Sequence, residues 1–293
     1  MKDVASDGDP PTVNDVIVAA GGLGTRIHPW SRFFPKEFYP LHQRPGVLYL
    51  FEEILSLGPS TVHFVYHPYY DPFIAWIRHL LLHDGLRQYE AVARGLGKDV
   101  GTRLSLASLD IRFVQQRGRY SDLSSLLTCE RLLRSDSFYL LFADFLYLDG
   151  NPLVAMQSTT GTGPLVLARP FNANDIERRG LIITRRLPSR ELRIVDIVEK
   201  PSLEAARQLA RRYGESSLLM VEGRFRLTRK FIRTVSLDNC LSGGEPKLSL
   251  AVRNYARSNP VGVVVTESGI TDLGTEETDS TQTLRVGYGK IRP

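Results

Sequence analysis

Short apolar, β-branched runs alternate along this chain with segments whose apolar residues recur at helical spacing. A buried strand shows period two or a continuous apolar run, whereas a helix buries one stripe at period 3.6. On that basis strands are expected near residues 15–20, 61–66, 111–115, 138–143, 164–168, 193–199, 217–223 and 261–265. Helices are expected near 47–57, 72–83, 122–134, 202–213, 228–236 and 248–257. Leu123, Leu126, Leu127, Leu132 and Leu133 share one helix face, and Ser202 after Pro201 reads as an N-cap with Glu204 in the first turn. The aromatics Tyr69, Tyr70, Phe73 and Trp76 read as a core-facing cluster. This alternation predicts an α/β fold around a largely parallel sheet. Ligands of such sheets bind at the carboxyl ends of the strands, so chemistry is expected where the apolar runs stop.

The first run stops in a glycine cluster. Val16-Ile17-Val18-Ala19-Ala20 leads into Gly21-Gly22-Leu23-Gly24-Thr25-Arg26, and Pro35-Lys36-Glu37 follows. Glycines there let the backbone approach a polyphosphate with its N–H groups pointing inward, and Arg26 and Lys36 supply charge that backbone dipoles cannot. The dinucleotide fingerprint is excluded, because its third glycine would fall on Ile27. The kinase-type P-loop is excluded too, since Gly-Lys-Ser/Thr occurs nowhere. A second run, Leu140-Leu141-Phe142-Ala143, ends in Asp144, and a third, Val261–Val265, precedes Thr271-Asp272-Leu273-Gly274-Thr275. A carboxylate at a strand end suits Mg²⁺, which takes hard oxygen ligands and few protein groups; a turn or helix cap is the plainer alternative for each.

G-G-x-G-T-R, P-K-E, Val198-Glu199-Lys200-Pro201 and Gly180-Leu181-Ile182, in this order of roles, resemble the nucleotidyltransferases that make nucleotide sugars. The nearest resemblance is to the UTP–glucose-1-phosphate uridylyltransferases, with the glucose-1-phosphate thymidylyltransferases beside them. It implies a Rossmann-like nucleotidyltransferase fold with a central mixed, mostly parallel sheet flanked by helices. It also implies that an NTP and a sugar 1-phosphate, UTP and glucose 1-phosphate first among them, become an NDP-sugar and pyrophosphate. By the same resemblance Arg26 and Lys36 neutralise the triphosphate, and Ala20, Gly21, Gly22, Gly24, Thr25, Glu37 and Gln116 hold the nucleotide. Gly180, Glu199 and Lys200 hold the sugar phosphate, and Asp144 and Asp272 hold Mg²⁺.

The chain departs from the family pattern in places. After Gln116, the glycine-rich stretch at the base pocket is replaced by Arg117-Gly118-Arg119-Tyr120-Ser121-Asp122-Leu123-Ser124-Ser125. Arg179 stands where an aromatic is usual, Lys247 replaces a glutamine and Leu250 an aspartate. These changes leave two other readings in play. One is a thymidylyl-, guanylyl- or other nucleotidyltransferase for an unusual sugar or cyclitol phosphate, as in secondary metabolism. The other is a non-catalytic sensor of nucleotide sugars.

Composition narrows the partners. The 293 residues carry a net charge of +5, but the arginines are scattered and no basic–aromatic platform forms, so nucleic acid is not an expected partner. No run of about 18 apolar residues occurs, so no membrane span is expected. Residues 1–14 are polar and Pro-containing, read as a loose tail and not a signal peptide. The remainder, 15–293, is expected to be one domain, with a nucleotide half over about 15–150 and a sugar-phosphate half over about 164–293. Cys129 and Cys240 are the only cysteines, which fits a reducing cytoplasm without a disulfide framework. His63 and His67 sit four apart next to Pro68 on a strand, not on one helix face, and are not expected to ligate a metal. Homo-oligomers are common in the resembled family, and one is possible here.

Overall fold

A computed structural model of the protein describes residues 13–25, 30–41, 44–58, 60–82, 88, 91–92, 94–97 and 109–273. Arg26 and the Gly274-Thr275 pair lie outside these residues, as does most of the expected tail. Among the described residues the main sheet has nine strands. In chain order they begin with β1 (Asp15–Ala20), β2 (Ser60–Tyr66), β3 (Leu109–Gln115) and β4 (Ser137–Phe142). A short β5 (Phe145–Tyr147) stands apart from the sheet and is followed by β6 (Leu165–Pro170), β7 (Gly180–Arg186), β8 (Leu192–Glu199), β9 (Leu218–Thr228) and β10 (Gly262–Val265). A final strand, β11 (Ile270–Asp272), pairs with β5.

The sheet order is β3-β2-β1-β4-β9-β6-β10-β8-β7. The expectation of a mostly parallel sheet is corrected here. The β3–β2, β2–β1, β1–β4 and β6–β10 pairs are parallel. The β4–β9, β9–β6, β10–β8 and β8–β7 pairs are antiparallel. The parallel half carries the glycine turn. The other half contains the β7–β8 hairpin, whose short connection closes with Leu187 N–H on Glu191 O at 2.8 Å and cannot join parallel strands. In the sequence Gly180-Leu181-Ile182 stands out as a motif and not as the start of a strand, so the hairpin is not expected from it.

Both faces of the parallel half are covered, which is why its strands read as near-continuous apolar runs. Val16 and Val18 point to a core shared with α1 (Gly46–Leu55) and α2 (Asp71–Leu82), through Leu50, Phe51, Ile54 and Ile74. Ile17 points to the opposite core, built with α3 (Asp122–Cys129) and a later helix, α6 (Leu248–Ala256), through Leu123, Leu126 and Val252. Between them lie α4 (Pro152–Gln157), inside the stretch expected to be loop, and α5 (Leu203–Tyr213). Asn151 caps α4 by accepting from Leu153 N–H at 3.0 Å, and Ser202 caps α5 by accepting from Ala205 N–H at 3.2 Å.

Three local expectations change. Helix α3 stops at Cys129, five residues early, and Leu132 is 40% exposed. The expected helix at 228–236 shrinks to Arg229–Ile232, because β9 runs on to Thr228. The aromatic cluster is only partly internal: Tyr70 is buried, whereas Tyr69 and Trp76 are more than half exposed. His63 is fully buried with Nε2 3.2 Å from Asp15 Oδ1, a contact internal to the sheet. Among the described residues no helix is long and apolar enough to cross a membrane.

Candidate functional site

The carboxyl ends of β1, β2, β3 and β4 come level with one another. Ala20 pairs with Tyr66 and Ala19 with Phe142, and Gln116, just past β3, donates its N–H to Tyr66 O at 2.8 Å. A cleft of about 450 Å³ opens there and runs to the start of β7 and the end of β8. Gly21, Gly22, Gly24 and Thr25 form one side of it, with Lys36 and Glu37 behind them. Asp144 and Asp272 lie between, and Gly180, Glu199 and Lys200 form the far side. Two of the expected nucleotide residues stand elsewhere. Ala20 is buried in the core on the α1 side, and Gln116 backs the glycine turn instead of facing the cleft.

That backing explains Gly21. A Cβ there would sit 1.9 Å from Gln116 Oε1, which itself accepts from Ser125 Oγ at 3.2 Å. Gly24 has φ +59°, the left-handed region glycine adopts without strain. At Gly22, a Cβ would come within 3.3 Å of Lys36 Cε and 3.4 Å of the Tyr120 hydroxyl. Tyr120 holds the turn by accepting from Leu23 N–H at 2.8 Å. Its role was invisible in sequence, where the stretch 117–125 registered only as lost glycines.

Lys36 opens a short 3-10 turn (Lys36–Phe38) fixed by Phe38 N–H on Pro35 O at 3.0 Å. Its ammonium is buried against the Asp144 carboxylate. Burial alone would lower the lysine pKa, but Asp144, Glu37 and Asp272 outweigh it and hold the ammonium charged well above the ordinary range. Glu37 is also buried, one of its oxygens has no hydrogen-bond partner among the described residues, and burial pushes its carboxyl up to about 8 against the pull of Lys36.

The Glu37 shift fixes a sign for stability. Folded Glu37 keeps a proton that the unfolded chain releases near the ordinary value of 4.5, so stability falls as pH rises toward about 8. One such group gives a slope of up to about 1.4 kcal/mol per pH unit. Urea midpoints between pH 6 and 8 should therefore fall for the native chain and flatten in Glu37→Gln. Parallel slopes would contradict the assignment.

Asp144 occupies the two-residue turn between β4 and β5, and Asp272 lies opposite Phe145 on β11. Leu273 N–H donates to Asp144 O at 2.8 Å, tying the two acid-bearing segments together. Asp272 is therefore set by this small ladder and not by the end of β10, as its place after residues 261–265 had implied. Two carboxylates lining one open cleft suit Mg²⁺, which is commonly held by one or two protein carboxylates with substrate phosphates completing its shell. Among the described residues no group of three or more acidic, His or Cys side chains forms a self-sufficient metal cage. Arg179 fills the place expected for an aromatic. Its guanidinium lies 4.5 Å over the Phe145 ring, with Nη1 3.1 Å from Glu222 Oε1 and Nη2 3.9 Å from Asp272 Oδ2.

On the far side Gly180 and Glu199 are direct partners across the β7–β8 pair. Glu199 Oε2 accepts from Ser249 Oγ at 2.5 Å and lies 3.2 Å from where a Gly180 Cβ would be. Lys200 follows at φ +44°, a strained conformation for a non-glycine residue at the edge of the cleft. Asp122 and Lys247, not selected as site residues from sequence, line the same wall. Asp122 accepts from Leu123 N–H at 2.6 Å and Leu248 N–H at 3.0 Å, and burial pushes it up to about 6 while Lys247 opposes. Lys247 Nζ is 2.5 Å from Glu245 Oε2.

No protein-family model matches the chain. The UTP–glucose-1-phosphate uridylyltransferase YngB of Bacillus subtilis is 23% identical over 274 residues, covering 89% of this chain and 85% of its own length. UTP–glucose-1-phosphate uridylyltransferase 2 of Staphylococcus saprophyticus is 23% identical over 272 residues, 89% of this chain and 88% of its own. Among solved structures, a UDP-glucose pyrophosphorylase complexed with UDP-glucose superposes with a TM-score of 0.73 at 21% identity, over 90% of this chain and 95% of that one. The inositol-1-phosphate CTP transferase of T. maritima gives 0.62 at 17% identity, over 92% of each chain. The fold is that of these enzymes, and the sugar nucleotidyltransferase resemblance seen in the motifs is supported across nearly the whole chain.

Proposed function

We propose that this chain is a nucleotidyltransferase that joins UTP to glucose 1-phosphate and releases pyrophosphate. The observation that carries the proposal is the meeting, in one cleft, of a glycine turn backed by Lys36 with a Glu199-Lys200 pair, and Asp144 and Asp272 between them. Those are the parts needed to hold two phosphorylated substrates with their reacting phosphates facing each other. The curated relatives are named for this reaction.

An oxygen of the sugar phosphate attacks the α-phosphorus of the triphosphate in line, the P–O bond to the β-phosphate breaks, and pyrophosphate leaves with that electron pair. No protein nucleophile is needed, so the protein contributes positioning and charge neutralisation. Lys36 faces the leaving pyrophosphate, Lys200 the incoming phosphate, and Glu199 the sugar hydroxyls; the resemblance gives Arg26, outside the described residues, a share in neutralising the triphosphate. Gly21, Gly22, Gly24 and Thr25 bring backbone N–H groups to the phosphates, and Gln116 holds the turn from behind. Asp144 and Asp272 would hold Mg²⁺, which supplies neutralisation of the reacting phosphates when bound. The place of action is the cytoplasm, where these substrates are made.

The direct test incubates the protein with Mg²⁺, each of five nucleoside triphosphates and a set of sugar and cyclitol 1-phosphates, and follows pyrophosphate. Release with UTP and glucose 1-phosphate above all other pairs is expected; tight UDP-glucose binding without release from any pair would mark a sensor instead. Within this scheme Lys200→Ala should raise KM for glucose 1-phosphate by about 10-fold or more, the worth of a charge-assisted contact, with little change in KM for UTP. An unchanged sugar-phosphate KM would refute its role.

A further inference from the structure

Strand β9 lies between β4 and β6, yet carries Glu222 and Arg224, both fully buried. Its register slips there: Val221 pairs with Ala168 and Phe225 with Val166, so four steps on β9 answer two on β6. Such a bulge re-aims side chains. Gly223, at its centre, has φ +65°, and a Cβ there would lie 2.5 Å from Phe145 and 3.1 Å from Phe142. Only glycine lets β9 pass this close to the residues on either side of Ala143-Asp144.

Arg224 uses that closeness. Its Nε and Nη2 donate to Glu53 Oε1 and Oε2 of α1 at 2.8 and 2.7 Å. Its Nη1 donates to Phe142 O at 2.9 Å and its Nη2 to Phe145 O at 2.6 Å, the carbonyls that flank the Asp144 turn. Glu222 serves the other acid. It is 2.8 Å from Arg169 Nε, accepts from Arg179 Nη1 at 3.1 Å and from the Tyr147 hydroxyl at 3.3 Å, and Arg179 extends toward Asp272. A buried ion pair is a weak source of stability, because apolar replacements of similar volume are often neutral or better. A planar fork that binds a carboxylate and two backbone carbonyls at once is instead a device for geometry, and lysine cannot reproduce it.

We propose that the Glu222-Gly223-Arg224 bulge is the positioning element of the cation site. Arg224, held by Glu53, fixes the turn that carries Asp144; Glu222, through Arg179, fixes Asp272. The inference rests on the proposed role of the two aspartates as cation ligands. None of the three residues lines the cleft, so their effect passes through the aspartates.

The test uses Mn²⁺ as a spectroscopic probe, titrated with UTP into the native protein and Arg224→Lys. The protein-bound ternary complex is read by water-proton relaxation, UTP binding is repeated in EDTA, and thermal melts report folding. Arg224→Lys should bind Mn²⁺ about 10–100-fold more weakly, the usual cost of removing an outer-shell partner, while its affinity for UTP in EDTA is unchanged. Equal Mn²⁺ affinity in native and variant would overturn the inference and leave the reaction standing. Failure of the native protein to bind Mn²⁺ would overturn the cation reading beneath it. Should Arg224→Lys not fold, Glu222→Gln carries the test from the other arm: weaker Mn²⁺ binding is expected, and native affinity in the folded variant would overturn the proposal.

Discussion

Asp144→Asn is expected to lower kcat/KM for UDP-glucose formation by about 10³-fold while the protein keeps its fold. Asparagine matches aspartate in volume, and the backbone that shapes the turn is held independently, by Leu273 N–H and the Arg224 guanidinium. The substitution thus removes charge without removing the frame. It deprives Lys36 of its ion-pair partner, the foremost of the charges that hold its ammonium protonated. It also removes one of the two anionic ligands proposed for Mg²⁺, so raising the Mg²⁺ concentration should restore part of the lost rate. Steady-state kinetics beside a thermal melt decides the matter: near-native activity would remove Asp144 from the mechanism, and an unfolded variant would show the turn to be structural first.

Lys36→Met is expected to cost a similar factor, about 10³-fold in kcat/KM, for a different reason. The ammonium lies against Gly22, so a triphosphate seated on the glycine turn places its terminal phosphates on this charge. Burial makes it worth more than a surface lysine, since the low dielectric strengthens its field and the 3-10 turn spares reorganisation. Methionine keeps the apolar stem and removes the charge. Because its neighbours hold Lys36 protonated far above neutrality, the native pH–rate profile should show no lysine titration between pH 6 and 9. Arg is not expected to rescue, as a planar guanidinium fork does not replace a compact ammonium point charge. A rate within about 10-fold of native for Lys36→Met would contradict its role at the leaving phosphates.

How much of this could be read from sequence depended on whether the signal was local. β1 and the glycine turn were visible because a strand covered on both faces gives a continuous apolar run, and the turn at its end announces itself in glycines. Asp144 and the Glu199-Lys200 pair were visible for the same reason, each closing an apolar run. The balance of parallel and antiparallel strands was not, because β7, the first arm of the β7–β8 hairpin, begins in residues read for their motif alone. The resemblance assigns Gln116 to the nucleotide, but its buried place behind Gly21 shows only in the distance between them. The frame around the acids was least visible: Arg224 and Glu53 are 171 positions apart, and Asp122 reaches the start of α6 across 126. Neither pair leaves a periodicity or a spacing, so nothing local to either residue names its partner.

Direct transfer between two bound phosphates in one cleft dictates when pyrophosphate can exchange. Labelled pyrophosphate should enter UTP when UDP-glucose, Mg²⁺ and the protein are together, and should not do so when UTP is supplied in place of UDP-glucose. Exchange without UDP-glucose would require a covalent uridylyl-protein and contradict direct attack. No exchange under either condition would contradict the assignment of the reaction itself.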